Sequence, residues 1–267
     1  MNKKEEFNKI LKDIKSIKIQ GARNIAKKAL YAYSLIPNKI SKKRLLSSRP
    51  TEPMMEKVLN LAEKKNFREI QEHFEKAQNK INSEVFKLIK NKDIIFTHCH
   101  STNVINALIY AKTKGKKFEV YNTETRPLFQ GRKTARQLRK AGIKVTMFVD
   151  SALGVALEGR QKNQKPNKVF LGADALLKKG IINKIGSNII ANIALDNKIP
   201  VYIIADSWKF TKKQIPIEQR NLNEVWDKAP KNIKIKNPAF EFVPKKYLRA
   251  IVSELGTLKY ESFLRKI

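Results

Sequence analysis

The sequence predicts an α/β protein in two parts, a helical domain over residues 1–90 and a Rossmann-like domain over residues 91–267. Two observations predict it. In the first ninety residues, apolar side chains recur at steps of three and four, the spacing of one helix face. From Asp93 onward, short apolar runs alternate with amphipathic stretches, the pattern of right-handed βαβ units around a parallel sheet.

In the first part, Phe67, Ile70, Phe74, Ala77, Ile81, Val85 and Leu88 form one long apolar stripe, and Met54, Met55, Val58, Leu59 and Ala62 a shorter one. Pro50 and Pro53 stand at the start of the shorter stripe, where a helix tolerates proline because its first N–H groups have no partner to lose. Ser47-Ser48-Arg49-Pro50-Thr51 reads as a loop. In the second part, strands are expected at 94–96, 118–121, 145–149, 169–171 and 201–204. Helices are expected at 102–113, 132–141, 151–157 and 186–197. The polar run from Glu158 to Lys168 reads as a solvated loop. Ligands of such sheets bind outside the carboxyl ends of the strands, so the turns after each strand are where chemistry is sought.

Composition narrows the classes of function. With 267 residues, 42% of them hydrophobic, the chain can bury a sizeable core. No apolar run reaches the roughly 20 residues of a bilayer span, and the charged start Met1-Asn2-Lys3-Lys4-Glu5-Glu6 is not a secretory leader. No membrane association is expected, and a cytoplasmic location is. Cys99 is the single cysteine, so no internal disulfide can form. The formal net charge of +32 has two readings. It attracts polyanions such as RNA or phosphorylated metabolites, or it reflects a general drift toward lysine over the whole surface. The basic residues are dispersed and no RNA-recognition signature is present, so nucleic-acid binding rests on charge alone.

Cys99 lies in Thr97-His98-Cys99-His100-Ser101, between a strand and a helix. The positive end of the following helix favours thiolate there, whereas a small buried apolar residue is the other reading. His98, Cys99 and His100 alternate in direction on an extended segment, so they cannot chelate one ion together, and no metal is expected. Asp174, in Gly172-Ala173-Asp174, follows another strand. Apolar neighbours would raise its pKa toward that of a general acid, while a turn or cap aspartate is the alternative. Asn183 and Lys184 precede a helix N-terminus, a natural phosphate site. Arg126 and Gln130 lie in Thr123-Glu124-Thr125-Arg126-Pro127-Leu128-Phe129-Gln130-Gly131. Arg126 can grip a phosphate with two parallel bonds, or else form an exposed loop salt bridge. No Walker A loop or G-x-G-x-x-G is present, which argues against ATP and NAD.

Taken in order, Thr97–Ser101, Thr123–Pro127 with Gln130-Gly131, Gly172-Ala173-Asp174 and Asn183-Lys184-Ile185-Gly186 resemble the family that joins sugar-phosphate aldose–ketose isomerases to the regulatory subunits of initiation factor 2B. The resemblance spans most of residues 93–256, including Asn237-Pro238-Ala239-Phe240-Glu241 and Glu254-Leu255-Gly256, and extends weakly to Ile19–Ala22 and Ser48–Thr51. The archaeal ribose-1,5-bisphosphate isomerases are the branch it is most similar to. That branch implies conversion of ribose 1,5-bisphosphate to ribulose 1,5-bisphosphate without redox cofactor or metal. It implies Asp174 as the acid that helps open the sugar ring and Cys99 as the group acting on the C2 proton. Arg126, Gln130, Asn183 and Lys184 would bind the phosphorylated sugar, with Arg23 and Arg49 as further candidates. The family's Arg-Gly-Ala-Gly-Arg is replaced here by Gln20-Gly21-Ala22-Arg23-Asn24, with one arginine instead of two. The alternative is a non-catalytic initiation factor 2B-like subunit that binds a nucleotide or sugar phosphate. The family also implies a homo-oligomer, a dimer or higher, here through an exposed apolar cluster at Phe240, Phe242 and Val243.

Overall fold

Five helices precede the first strand in the computed structural model, which describes residues 2–267. They are α1 (Lys3–Lys15), α2 (Ala22–Leu35), α3 (Lys39–Ser48), α4 (Pro53–Leu61) and α5 (Phe67–Leu88). Their starts follow from local chemistry. Asn2 caps α1 by accepting from the Glu5 N–H at 2.9 Å, and the Glu5 carboxylate accepts from the Asn2 N–H at 2.9 Å. Pro53 opens α4, and Asn66 caps α5. Phe7, Ile14, Ile25, Leu45, Met55 and Leu59 pack together between α1 and α4. The long apolar stripe of α5 serves two cores. Ile70 and Phe74 pack against the helices before it, and Ile81 and Val85 pack against the sheet.

The strands and helices that follow are β1 (Ile94–Thr97), α6 (Thr102–Thr113), β2 (Glu119–Thr123), α7 (Gln130–Lys140), β3 (Lys144–Phe148), α8 (Leu153–Glu158) and β4 (Lys168–Leu171). After them come β5 (Ala175–Leu176), β6 (Gly180–Lys184), α9 (Ser187–Asp196), β7 (Val201–Ile204), β8 (Phe240–Pro244), β9 (Ala250–Ser253), β10 (Gly256–Leu258) and α10 (Tyr260–Lys266). The main sheet has the order β10-β9-β7-β4-β1-β2-β3 and is parallel except at the β9–β10 edge. Side chains alternate across it. Ile95, Val120 and Phe170 face α5, α6 and α7, whereas Phe96, Val169 and Leu171 face α8, α9 and α10.

The chain runs outward from β1 through β2 to β3, then returns to place β4 on the other side of β1. The crevice beyond the β1 and β4 carboxyl ends is therefore the point where the winding reverses, and ligands of this architecture bind there. Thr97 of β1 sits beside Phe170 of β4, so Cys99 and Asp174 emerge from neighbouring strand ends.

One sequence expectation is corrected here, and two further features lie outside what the sequence predicts. Gly180–Lys184, for which the sequence predicts no strand, is β6, the centre of a second, antiparallel sheet with the order β5-β6-β8. All five of its residues are buried, so it lacks the alternation that marks a half-exposed strand. The apolar cluster expected at Phe240, Phe242 and Val243 is not formed. Val243 is buried, Phe240 turns toward the crevice and Phe242 alone is exposed. Finally, residues 211–239 carry no α-helix or strand, only a short 3-10 turn at Leu222–Glu224 and a bridge between Gln219 and Pro238. No helix among the described residues is long and apolar enough to cross a membrane.

Candidate active site

A cavity of about 350 Å³ lies over the β1 and β4 carboxyl ends, the size of a small-ligand site. Cys99 and Asp174 both line it, from the β1–α6 and β4–β5 turns. Arg23, Arg49, Gln130, Asn183 and Lys184 line it too.

The β1–α6 turn is tied down from both sides. Cys99 takes a left-handed backbone conformation at φ 64°, as does Thr125 at φ 60°. For non-glycine residues this costs on the order of 1–3 kcal/mol each, so the surroundings must hold it. The Cys99 N–H donates to the Thr125 hydroxyl at 3.0 Å, and the Thr134 hydroxyl donates to the Cys99 carbonyl at 2.6 Å. His98 is buried and bridges two turns. Its Nε2–H donates to the Ile185 carbonyl at 2.8 Å, so Nδ1 is the acceptor for the Thr123 hydroxyl at 2.5 Å. Burial holds this imidazole down to about 4, hence neutral. His98 thereby fixes the Cys99 turn against the turn that carries Asn183 and Lys184. His100 points elsewhere, to Thr134 at 3.2 Å. Outside the cavity, His73, Asp206 and Glu254 come together, with His73 Nε2 already on Asp206 at 3.1 Å.

Burial pushes the Cys99 thiol up to about 11, and Lys184 offsets only part of that. Of the two sequence readings of Cys99, its surroundings favour the buried residue over the thiolate. Loss of hydration around the thiol outweighs the helix field. We expect Cys99 to react with iodoacetamide at pH 8 about a hundredfold more slowly than an exposed thiol, from the two-unit rise in pKa. A rate equal to or above that of an exposed thiol would restore the thiolate reading.

The β4–β5 turn allows close approach at Gly172, where an added Cβ would sit 2.6 Å from the Ser101 hydroxyl. Asp174 follows with its N–H on the Ile182 carbonyl at 2.8 Å. Burial raises its carboxyl above the usual range, against the pull of Lys209, Lys184 and Arg49. Lys209, just past β7, donates to the Ala173 carbonyl at 2.6 Å. Asn183 donates to the Ser187 hydroxyl at 2.8 Å, and that hydroxyl donates to the Lys184 carbonyl at 2.6 Å, locking the start of α9.

Basic side chains dominate the walls: Arg23, Arg49, Lys133, Lys184, Lys209 and Arg220, against the acids Glu52 and Asp174. Arg49 is only 7% exposed. Its Nη2 donates to Glu218 at 2.9 Å, while its Nε and Nη1 are buried with no partner. Gln130 Oε1 is likewise buried and unpartnered. Unsatisfied buried donors on a guanidinium are costly, and an anion in the cavity would satisfy them. Arg23 donates to Gln78 at 3.0 Å, which also accepts from Asn103.

The expected role of Arg126 is corrected by its placement. Its N–H and that of Thr125 donate to the Asp150 carboxylate at 2.6 and 2.8 Å, which turns the side chain outward. The exposed guanidinium donates to the Val225 carbonyl at 3.1 Å and lies over Phe129. The cavity is served instead by Gln130, Lys133 and Gln137, spaced for one face of α7. Sequence reasoning also passed over Glu52, Lys209 and Arg220. Lys209 was findable, since it follows a parallel strand end. Glu52 is one residue past the recognised Arg49-Pro50-Thr51. Arg220 lies in the segment without periodicity, and Glu218 and Glu224 hold its guanidinium in place.

The fold and this crevice define a Rossmann-like protein of the initiation factor 2 subunit family. Residues 38–260 match that family's model, and the chain belongs to it. Ribose 1,5-bisphosphate isomerases are similar along most of the chain. The protein of Archaeoglobus fulgidus is 31% identical over 96% of this chain and 91% of its own length, and that of Methanocaldococcus jannaschii 35% identical over the same shares. The structure of a Pyrococcus horikoshii translation initiation factor eIF-2B superposes with a TM-score of 0.82 at 28% identity, covering 96% of this chain and 97% of its own. A 5-methylthioribose 1-phosphate isomerase from the same organism shares the fold, with a TM-score of 0.77 at 22% identity, over 97% of this chain and 86% of its own.

Proposed function

We propose that the protein is an aldose–ketose isomerase of a sugar 1-phosphate, with ribose 1,5-bisphosphate as substrate and ribulose 1,5-bisphosphate as product. The observation that carries this reading is the convergence of Cys99 and Asp174 on one basic cavity at the β1–β4 crevice. The isomerase names of the similar archaeal proteins support it.

The chemistry follows from the groups present. The substrate's anomeric carbon carries phosphate, so no free aldehyde forms; opening the ring leaves C1 bound to its phosphate oxygen as an electron-poor oxocarbenium, which acidifies the hydrogen on C2. Asp174, whose carboxyl burial shifts toward the protonated form, protonates the ring oxygen as its bond to C1 breaks. Cys99 then acts on the C2 proton. Burial keeps its thiol protonated in the empty cavity, and Lys184 is the cation that favours ionisation once substrate is seated. Arg49, with two unpartnered donors, and Lys184 hold phosphate, and Gln130 receives a sugar hydroxyl. Arg23, Asn183, Lys133, Lys209 and Arg220 complete the polar wall.

The test is a turnover screen with ribose 1,5-bisphosphate and 5-methylthioribose 1-phosphate. The basic walls predict preference for the bisphosphate. Binding of either compound without turnover would favour a binding subunit instead.

A further inference from the structure

Nearly every buried side-chain polar atom of a folded protein has a hydrogen-bond partner, so one without a partner needs a reason. Among the described residues seven such atoms lack one, and four of the seven lie in the short connection between α3 and α4: Arg49 Nε and Nη1, Thr51 Oγ1 and Glu52 Oε2. Arg49 and Glu52 both line the cavity. Arg49 has a role in the proposal above, as a phosphate ligand. Glu52 has none.

The connection holds Glu52 in place. Its N–H donates to the Arg49 carbonyl at 3.3 Å, which closes the turn. Pro53 follows it and keeps its backbone out of the helical region, at φ −115° and ψ 86°. Although Glu52 immediately precedes α4, its side chain makes no capping bond to that helix, and the residue is only 4% exposed. The cations nearest to it are otherwise engaged, Arg49 with Glu218 and Lys209 with the Ala173 carbonyl. Burial pushes the Glu52 carboxyl up to about 8, so at neutral pH it is uncharged and does not repel a phosphate.

The unpartnered atoms of Arg49 and Glu52 ask for different ligand groups. The Arg49 atoms are donors, which phosphate oxygens satisfy. A carboxyl, charged or not, keeps an acceptor oxygen, and a phosphate monoester dianion has no hydrogen to give it. A hydroxyl has. We infer that Glu52 is a specificity-determining residue: its carboxyl oxygen accepts a hydrogen bond from a hydroxyl of the sugar whose phosphate lies on Arg49, so that one turn recognises a phosphate and a hydroxyl together. A ligand without the hydroxyl leaves the buried acceptor unpaired and is selected against. That the ligand is a sugar phosphate rests on the isomerase reading above, whereas the part played by Glu52 shows in binding alone, without turnover.

The experiment is isothermal titration of the full-length protein at neutral pH with ribose 1-phosphate and with methyl phosphate, which has the phosphate but no hydroxyl. Wild-type protein, Glu52→Met and Glu52→Gln are compared, with thermal melting of each. Wild-type protein should bind ribose 1-phosphate the more tightly. Glu52→Met should lose about tenfold in affinity for ribose 1-phosphate, the worth of one hydrogen bond, while methyl phosphate changes by less than about twofold. Glu52→Gln keeps an acceptor oxygen and should stay within about threefold of wild type on both ligands. Because Glu52 Oε2 has no partner inside the protein, Glu52→Met should melt no lower than wild type. Equal losses on both ligands, an unchanged affinity for ribose 1-phosphate, or a Glu52→Met protein that melts well below wild type would each overturn the assignment. The expected binding pattern without turnover of ribose 1,5-bisphosphate would keep Glu52 as the hydroxyl reader and reject the isomerase reading.

Discussion

Replacing Asp174 by asparagine should cut turnover of ribose 1,5-bisphosphate by about a thousandfold, with little change in KM. The substitution keeps the shape of the side chain and removes its proton, and general acid catalysis is worth about 10²–10⁴ in rate. Its carboxyl is buried and lies in the same cavity as Cys99, so no bulk solvent acid can take its place readily. Steady-state kinetics check it. A fall of less than about tenfold would remove Asp174 from the chemical step. Because the variant is neutral, its residual activity should also lose the part of the pH dependence that the carboxyl imposes.

Lys184→Ala should reduce turnover by about a hundredfold while leaving affinity for generic RNA nearly unchanged. Lys184 ends β6, is buried, and lines the cavity beside Phe240. It is the cation that opposes the upward shift of Cys99. On the surface it is one basic residue among 56, so its loss barely alters the long-range field. If the net charge of +32 serves mainly to gather phosphorylated metabolites, added salt should weaken sugar-bisphosphate binding only modestly. A site built for RNA would lose affinity steeply with salt, in proportion to the phosphates neutralised. Full turnover in Lys184→Ala, or tight RNA binding at physiological salt, would contradict this assignment.

Much of this architecture could be read from residue order because local rules agreed with the final structure. The stripe from Phe67 to Leu88 is α5, and the run 102–113 is α6. The alternation from Asp93 gave the β1, β2, β3, β4 and β7 positions to within a few residues. Elements decided by tertiary burial were not legible. β6 is wholly enclosed, so Ile181 and Ile182 show no two-residue period, and its flanking glycines suggest a turn. β8 and β9 pair with strands distant in sequence, and β10 is a three-residue strand that only turns back on β9. At the site, residues directly after strands, Cys99 and Asp174, were found by position. Arg126 was misplaced because the bonds from Asp150 set the direction of its side chain, and Asp150 is 24 residues away. The choice between thiolate and buried thiol at Cys99 stayed open because the helix start is visible in sequence while the walls that desolvate the sulfur are not. Glu52, Lys209 and Arg220 converge from three regions, and nothing local marks that convergence.

The most direct test of the central claim is 13C NMR of purified protein incubated with 13C-labelled ribose 1,5-bisphosphate. The account predicts a new ketone carbon at C2 with loss of the anomeric signal for wild-type protein, and no conversion for the Cys99→Ser/Asp174→Asn double variant. An unchanged spectrum with wild-type protein, or equal conversion by the double variant, would contradict it.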